Sequence, residues 1–252
     1  MEPMALVLIA VLGAATGSFL NVVIHRLPRS ESLVHPRSHC PGCETAVSPR
    51  DNVPLLSWLW LRARCRSCGE HISARYPMVE LSGLVAFAAV VATRGVGPEL
   101  ALLLPFTALL IAVAGIDLEH RIIPNKLVVP ALAYGLVAGA IVDLGAMPER
   151  LAAGAGAFLF LLLAALAHPA GMGMGDVKLA GVMGLYLGLS VVPALFGAFL
   201  SGTLVGVAIM VRDGAGARKK GVPFGPFLAL GGLLAVLAGP ELVDLYGDLL
   251  LR

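Results

Sequence analysis

Residues Leu100 to Arg121 read LALLLPFTALLIAVAGIDLEHR, seventeen uncharged positions closed by Asp117. A run of that length, completed by flanking residues, can cross a hydrocarbon layer about 30 Å thick as a helix. Further apolar runs cover roughly residues 4–24, 78–93, 127–142, 151–167, 177–192, 193–211 and 224–243. The expected fold is therefore an all-α polytopic membrane protein with about eight transmembrane helices. The sixth and seventh runs abut at Val191-Val192-Pro193, where a tight hairpin is expected.

Composition agrees with this reading. The chain has 252 residues, 58% hydrophobic and 13% charged, against about 25% charged in soluble domains. That leaves too little polar surface to cover a water-soluble core. Thirty glycines suit closely packed membrane helices. The first run, Met4 to Ile24, has no basic residue before it and is long enough to span. It reads as a membrane helix rather than a cleaved leader.

The basic residues set an expected orientation. With the N-terminus outside, the inner loops 25–77, 117–126, 168–178 and 212–223 hold 15 of the 18 Lys and Arg residues. Only Arg94, Arg150 and Arg252 lie outside. Cytoplasmic loops carry such an excess, so both termini are expected on the periplasmic side. No nucleic-acid partner is expected.

Residues 25–77 differ from the other loops. They are polar, rich in arginine and proline, and contain all four cysteines. The expected organisation is a first helix at 1–24, a cytoplasmic insert at 25–77 and a bundle at 78–252. An insert of about 50 residues is too small for a good core of its own, which favours a structural metal. The cysteines form two C-x-x-C hooks, Cys40-Pro41-Gly42-Cys43 and Cys65-Arg66-Ser67-Cys68, separated by 21 residues. Four thiolates presented this way suit tetrahedral zinc in a closed, structural site. Disulfides are the competing reading, and a reducing cytoplasm disfavours them. His39 and His71 flank the hooks and read as solvated loop residues.

Two aspartates stand at the ends of apolar runs. Asp117 closes the stretch quoted above, and Asp176 closes Gly171-Met172-Gly173-Met174-Gly175-Asp176. The expected topology puts both at the cytoplasmic ends of their spans, hence at one depth, where two carboxylates can meet across a bundle. A close pair in a poorly solvated site shares a proton. The ionised member can take a proton from water, and the neutral one can donate to a carbonyl oxygen gaining charge. Peptide hydrolysis needs both. Gly173 and Gly175 lack a Cβ and are expected to let a substrate backbone approach. The competing reading makes both aspartates ordinary hydrated helix ends.

Other residues are marked more weakly. Glu80, near the start of the second span, either faces a cavity or favours a helix N-terminus. Lys178 snorkels to the interface or tunes the aspartates. Pro223 and Gly225, within Pro223-Phe224-Gly225-Pro226-Phe227, open the last span and form a candidate wall of a substrate cleft. Ser18 and Asn21 on the first span are expected to face helices or water.

Taken together, these motifs resemble the type IV prepilin peptidases, bacterial inner-membrane leader peptidase/N-methyltransferases of the GxGD aspartyl type. Gly17-Ser18-Phe19-Leu20-Asn21 through His25-Arg26-Leu27-Pro28 is similar to the family's N-terminal signature. The double C-x-x-C insert, Arg75 to Glu80, Ile116-Asp117 through Pro124-Asn125, Gly173 to Leu179 and Pro223 to Pro226 follow in the family's order. The resemblance implies catalysis by Asp117 and Asp176 and zinc on Cys40, Cys43, Cys65 and Cys68. The implied substrates are prepilins and pseudopilins of type IV pili and type II secretion, cut after a glycine that precedes a hydrophobic helix. It also implies methylation of the new N-terminus with S-adenosylmethionine. No Rossmann fingerprint is present for that donor, and Glu80 is the candidate on that side.

Two rival readings fit parts of the same sequence. A proton- or cation-coupled transporter would use paired carboxylates but gives no reason for the glycines or the insert. A membrane scaffold would use the zinc insert only for docking.

Overall fold

The computed structural model describes residues 3–168, 172–213 and 222–250. Gly171 of the glycine run, Arg218, Lys219 and Lys220 of the last basic loop, and Arg252 lie outside the described residues. The described chain is helical: α1 (Pro3–Arg26), α2 (Leu56–Trp60), α3 (Arg75–Arg94), α4 (Leu100–His120), α5 (Asn125–Val142), α6 (Met147–Ala167), α7 (Met174–Leu187), α8 (Val191–Asp213) and α9 (Gly225–Leu250). It divides into two compact units, Met1–Val96 and Gly97–Arg252.

In the first unit α1 packs along α3, with the insert between them in sequence. Gly13 of α1 and Gly83 of α3 face each other with no room for a Cβ at either. Gly17 sits just as tightly, and a Cβ there would lie 2.7 Å from Glu80 Cα. Such small-residue seams let membrane helices approach closely where no hydrophobic effect drives them together. Asn21, one turn further along α1, is buried and donates from Nδ2 to the Tyr76 carbonyl at 3.1 Å. It faces α3, as expected of a polar residue in a span.

Among the described residues seven stretches are long and apolar enough to cross a membrane, and the longest, in the second unit, runs from Met174 to Asp213. It is two helices. A 3-10 turn at Gly188–Ser190 separates α7 from α8. Packing shows that the chain reverses there. Gly184 of α7 meets Ala153 and Gly154 of α6, while Gly188 lies beside Glu149 at the start of α6. Gly202 of α8 meets Phe227 near the start of α9, while Ser190, in the turn before α8, meets Gly239 far along α9.

The hairpin thus falls three residues earlier than the sequence suggests. Gly188 adopts φ +57°, which a residue with a side chain rarely does. Pro193 lies in the first turn of α8, where its missing N–H has no helical acceptor to lose.

At the centre of this unit α4, α7 and α9 meet. A Cβ on Gly232 of α9 would lie 2.8 Å from Leu110 Cδ1 of α4 and 3.3 Å from Met183 Cε of α7. Leu110 and Met183 are fully buried.

Candidate active site and metal centre

Both aspartates lie two turns from that three-helix contact. Asp117 is seven residues beyond Leu110 on α4, Asp176 seven before Met183 on α7, and Gly225 seven before Gly232 on α9. Seven residues are nearly two turns, about 10.5 Å of rise on nearly the same face. Residues packed together at one level are therefore repeated as a second group at another. Asp117 and Asp176 are both buried, and each lies within electrostatic range of the other.

Each carboxylate is held by a backbone amide at a helix N-terminus. Gly225, the first residue of α9, donates its N–H to Asp117 Oδ2 at 2.8 Å. Gly173, at the N-cap of α7, donates to Asp176 Oδ2 at 3.1 Å. Helix N-termini stabilise negative charge, so a negative charge on the pair has two helix ends facing it.

The chain is shaped locally to present these groups. Arg121 takes a left-handed conformation, φ +55°, and its N–H closes α4 on the Asp117 carbonyl at 2.9 Å. The connection to α5 then passes Ile123, which packs against Gly175. A Cβ on Gly175 would lie 2.8 Å from Ile123 Cβ. The position that a side chain on Gly175 would take is thus occupied by Ile123. Gly173 keeps its amide for Asp176. Ile123 was not singled out in the sequence, and nothing local marks an isoleucine in an apolar chain.

Lys178 donates to Asn125 Oδ1 at 3.1 Å, joining α7 to the start of α5. Gly225 comes to the site as the first residue of α9, with Pro223 two positions before it in the connection to that helix. Phe224, between them, begins an aromatic series with Phe227 at 6.4 Å and Phe199 of α8 at 5.3 Å between ring centroids. Phe199 in turn meets Phe160 of α6 at 6.3 Å, and Phe160 is exposed on the bundle's outer surface.

The insert brings its four cysteines together. Their sulfurs all lie within 4.8 Å of one another, with Cys40 to Cys68 at 3.7 Å and Cys43 to Cys65 at 4.0 Å. Zinc–sulfur bonds of about 2.3 Å in a tetrahedron put sulfurs about 3.8 Å apart, so the donor set fits that ion. The two hooks are built alike. Cys40 N–H donates to the Thr45 carbonyl and Cys65 N–H to the Glu70 carbonyl, at 3.0 and 2.8 Å. Glu44 and Gly69, each following a second cysteine, both have positive φ. His39 and His71 form the bridges His39–Ala46 and Arg64–His71 that close the hooks, and neither belongs to the donor group.

Hydrogen bonding by Thr45, whose Oγ1 is 3.3 Å from Cys43 Sγ, lowers the Cys43 thiol to about 6. A backbone bond from Glu70 pulls Cys68 down, but the neighbouring thiols and burial leave it raised to about 12. Four thiols this close share protons unless a cation balances them. Arg66, inside the second hook, forks onto Asp51 at 2.6 to 3.1 Å. Glu80 accepts the Leu55 N–H at 2.7 Å, tying α3 to the insert just before α2. Neither contact could be anticipated from spacing.

Buried paired carboxylates in a helical membrane bundle fit the aspartic-type peptidases that work at membranes. Residues 11–94 match the model of the bacterial peptidase A24 N-terminal domain, and residues 104–211 match the type IV leader peptidase family. Curated relatives named prepilin leader peptidase/N-methyltransferase include one from Bacillus subtilis, 37% identical over 94% of this chain and 95% of its own. Another, from Aeromonas hydrophila, is 38% identical over 91% and 89%. A third, from Pseudomonas aeruginosa, is 33% identical over 97% and 94%. No solved structure matches. The chain belongs to the type IV leader peptidase family and is a multi-pass membrane enzyme of the aspartic peptidase type. None of these matches supports a transporter.

Proposed function

We propose that Asp117 and Asp176 cleave the leader peptides of prepilins and pseudopilins of type IV pili and type II secretion at the cytoplasmic face of the inner membrane. The observation that carries this reading is the shared register of the two carboxylates, each held by a helix N-terminal amide. One carboxylate, ionised, takes a proton from water as its oxygen attacks the scissile carbonyl. The other, protonated, donates to the carbonyl oxygen as it gains charge. Collapse of the tetrahedral intermediate breaks the C–N bond, and the proton held by the first carboxylate passes to the leaving amine. No covalent enzyme intermediate is needed.

The orientation follows from alternation of the spans and from the basic loops, with both termini periplasmic and the insert cytoplasmic. A basic leader emerging from a membrane-embedded helix then meets the aspartates at the inner surface. Gly173, Lys178, Pro223 and Gly225 line or brace this end of the bundle, and the aromatic series starting at Phe224 offers an apolar wall to the substrate helix.

Cys40, Cys43, Cys65 and Cys68 hold a structural zinc ion, which supplies cross-linking of the insert and no catalytic step. The name shared by the relatives pairs peptidase with N-methyltransferase, and the same second activity is assigned to this chain, with S-adenosylmethionine as methyl donor. Among the described residues there is no β-strand, so the usual strand–glycine-turn–helix cradle does not fit that donor. Glu80 is assigned to that activity because it stands where the insert joins α3. Glu80→Gln keeps an oxygen for the Leu55 N–H and removes the charge. It should lower methylation and spare cleavage; unchanged methylation would remove Glu80 from that role.

The deciding experiment is cleavage of a prepilin by purified protein in detergent. Asp117→Asn and Asp176→Asn should each abolish it while the protein stays folded and zinc-loaded. Near-normal cleavage by either variant would disprove the paired mechanism.

A further inference from the structure

We infer that α2 of the insert is an interfacial anchor, lying in the headgroup layer of the bilayer with Leu56, Leu59 and Trp60 toward the lipid. These residues recur at i, i+3 and i+4, one face of a helix. They are the exposed face of α2, and Trp60 is 83% exposed. The opposite face is committed to the insert. Ser57 is buried, accepts the Val53 N–H at 2.9 Å and donates to the Arg50 carbonyl at 3.1 Å. Trp58 donates from Nε1 to the Ile72 carbonyl at 3.0 Å. The insert therefore spends its polar contacts on one side of α2 and leaves two leucines and an indole on the other.

The occupant of that face is set by where α2 sits. Leu55, directly before it, is bonded to Glu80, the sixth residue of α3. Arg75, Tyr76 and Pro77 precede the apolar run of α3 that opens at Met78, so Glu80 lies two residues, about 3 Å of rise, past the start of that run. The Glu80 carboxylate and the Leu55 amide that it accepts from therefore sit close to the boundary between hydrocarbon and polar layer. The start of α2 is thus level with the membrane surface, whichever side of the membrane the insert occupies. Tyr76, at the same end of α3, is 42% exposed and continues the aromatic belt expected at that level.

Charge fits the same occupant. The chain leaves α2 through two left-handed residues, Arg62 (φ +50°) and Ala63 (φ +58°), and both Arg62 and Arg64 are exposed in that turn. Guanidinium groups beside an apolar face match anionic headgroups above acyl chains. The whole surface reads as a short amphipathic element for an anionic bilayer.

The chain contains two tryptophans, Trp58 and Trp60, which makes a direct test available. Full-length protein is reconstituted in phosphatidylcholine/phosphatidylglycerol vesicles, with or without bromine near the top of the acyl chains. The emission lost in Trp60→Phe relative to the unmodified protein is the Trp60 signal. Trp58→Phe, with Trp60 alone, gives the same signal independently, and zinc content reports that the insert is intact in both. Brominated lipid should quench the Trp60 emission while aqueous iodide should not. A Trp60 signal quenched by iodide and untouched by bromine would overturn the anchor. So would a signal shielded from iodide only after a prepilin peptide is added, since that would assign the face to a protein partner. In pure phosphatidylcholine the bromine quenching should fall, and Arg62→Ala/Arg64→Ala should erase the difference between the two lipid mixtures. Equal quenching in both mixtures with unmodified protein would overturn the anionic preference.

Discussion

The Gly225 amide and the Asp117 carboxylate, 108 positions apart, are joined by a 2.8 Å hydrogen bond that places the first turn of α9 against the last turn of α4. A Cβ at Gly225 would lie 2.7 Å from Asp117 Oδ2 and 3.0 Å from its Cβ and Cγ. The approach leaves no space for any side chain. Gly225→Ala should therefore displace Asp117 without altering either aspartate. Misplacement of a reacting group by about 1 Å can cost roughly 10²-fold in rate, and a loss of that order is expected in kcat for prepilin cleavage. Cleavage within twofold of normal would show that this contact does not position the acid.

Affinity is expected to depend on a different part of the site. Phe199 of α8 bridges Phe224, beside Gly225, to the exposed Phe160 of α6. If this series carries the apolar helix of the substrate, Phe199→Ala should raise KM for a full prepilin several-fold and leave kcat nearly unchanged. A short peptide lacking that helix should be cut equally by both proteins. Equal KM values for the full prepilin would exclude the series from binding.

Close packing within the first unit is testable by overpacking. Gly83→Ala puts a methyl group into the Gly13 backbone, where there is no side chain to yield. Forced extra volume in a packed interior costs about 1–3 kcal/mol. A lowered thermal midpoint in detergent is expected, and an unchanged midpoint would mean that α1 and α3 separate without cost.

The cysteine insert should respond to pH through its thiols and not through Asp51. Hydrogen bonding from Arg66 holds the Asp51 carboxyl below its ordinary value. A carboxyl lowered on folding contributes fully above its unfolded value of about 3.9, and loses that contribution as pH falls through the lower folded value. Zinc release between pH 5 and 7 should therefore follow protonation of thiolates and keep the same shape in Asp51→Asn. Where zinc is retained the contribution of the Asp51–Arg66 pair is constant, so Asp51→Asn should lower protease resistance by the same amount at every pH in that range. A changed shape above pH 5 in Asp51→Asn would contradict this assignment.

Removing the metal provides a further check. Cys40→Ser, Cys43→Ser, Cys65→Ser or Cys68→Ser should each lower bound zinc and make residues 25–77 protease-sensitive. Full cleavage and methylation with zinc absent would refute the structural role.

Much of this protein is legible in its sequence because membranes impose local rules. Every backbone polar group in hydrocarbon must be satisfied within its own helix, so a run such as Leu100–Ile116 can hardly be anything else. Paired C-x-x-C hooks are equally local, because each turn presents its own two thiols. Asp117 and Asp176 stood out for the same reason, as charges at the edges of uncharged runs.

What the sequence could not contain is the register between helices. Leu110, Met183 and Gly232 are three ordinary apolar residues, and only side-chain packing makes them neighbours. Once they meet, two turns of each helix carry Asp117, Asp176 and Gly225 to one level. The same is true of Gly175, whose missing side chain serves Ile123, and of Glu80, whose partner is a backbone amide 25 positions away. Hydropathy fixes which segments cross the bilayer, since transfer into lipid is a property of each segment alone. Which residues then face one another depends on interdigitation between segments far apart in the chain, and only the tertiary structure decides that.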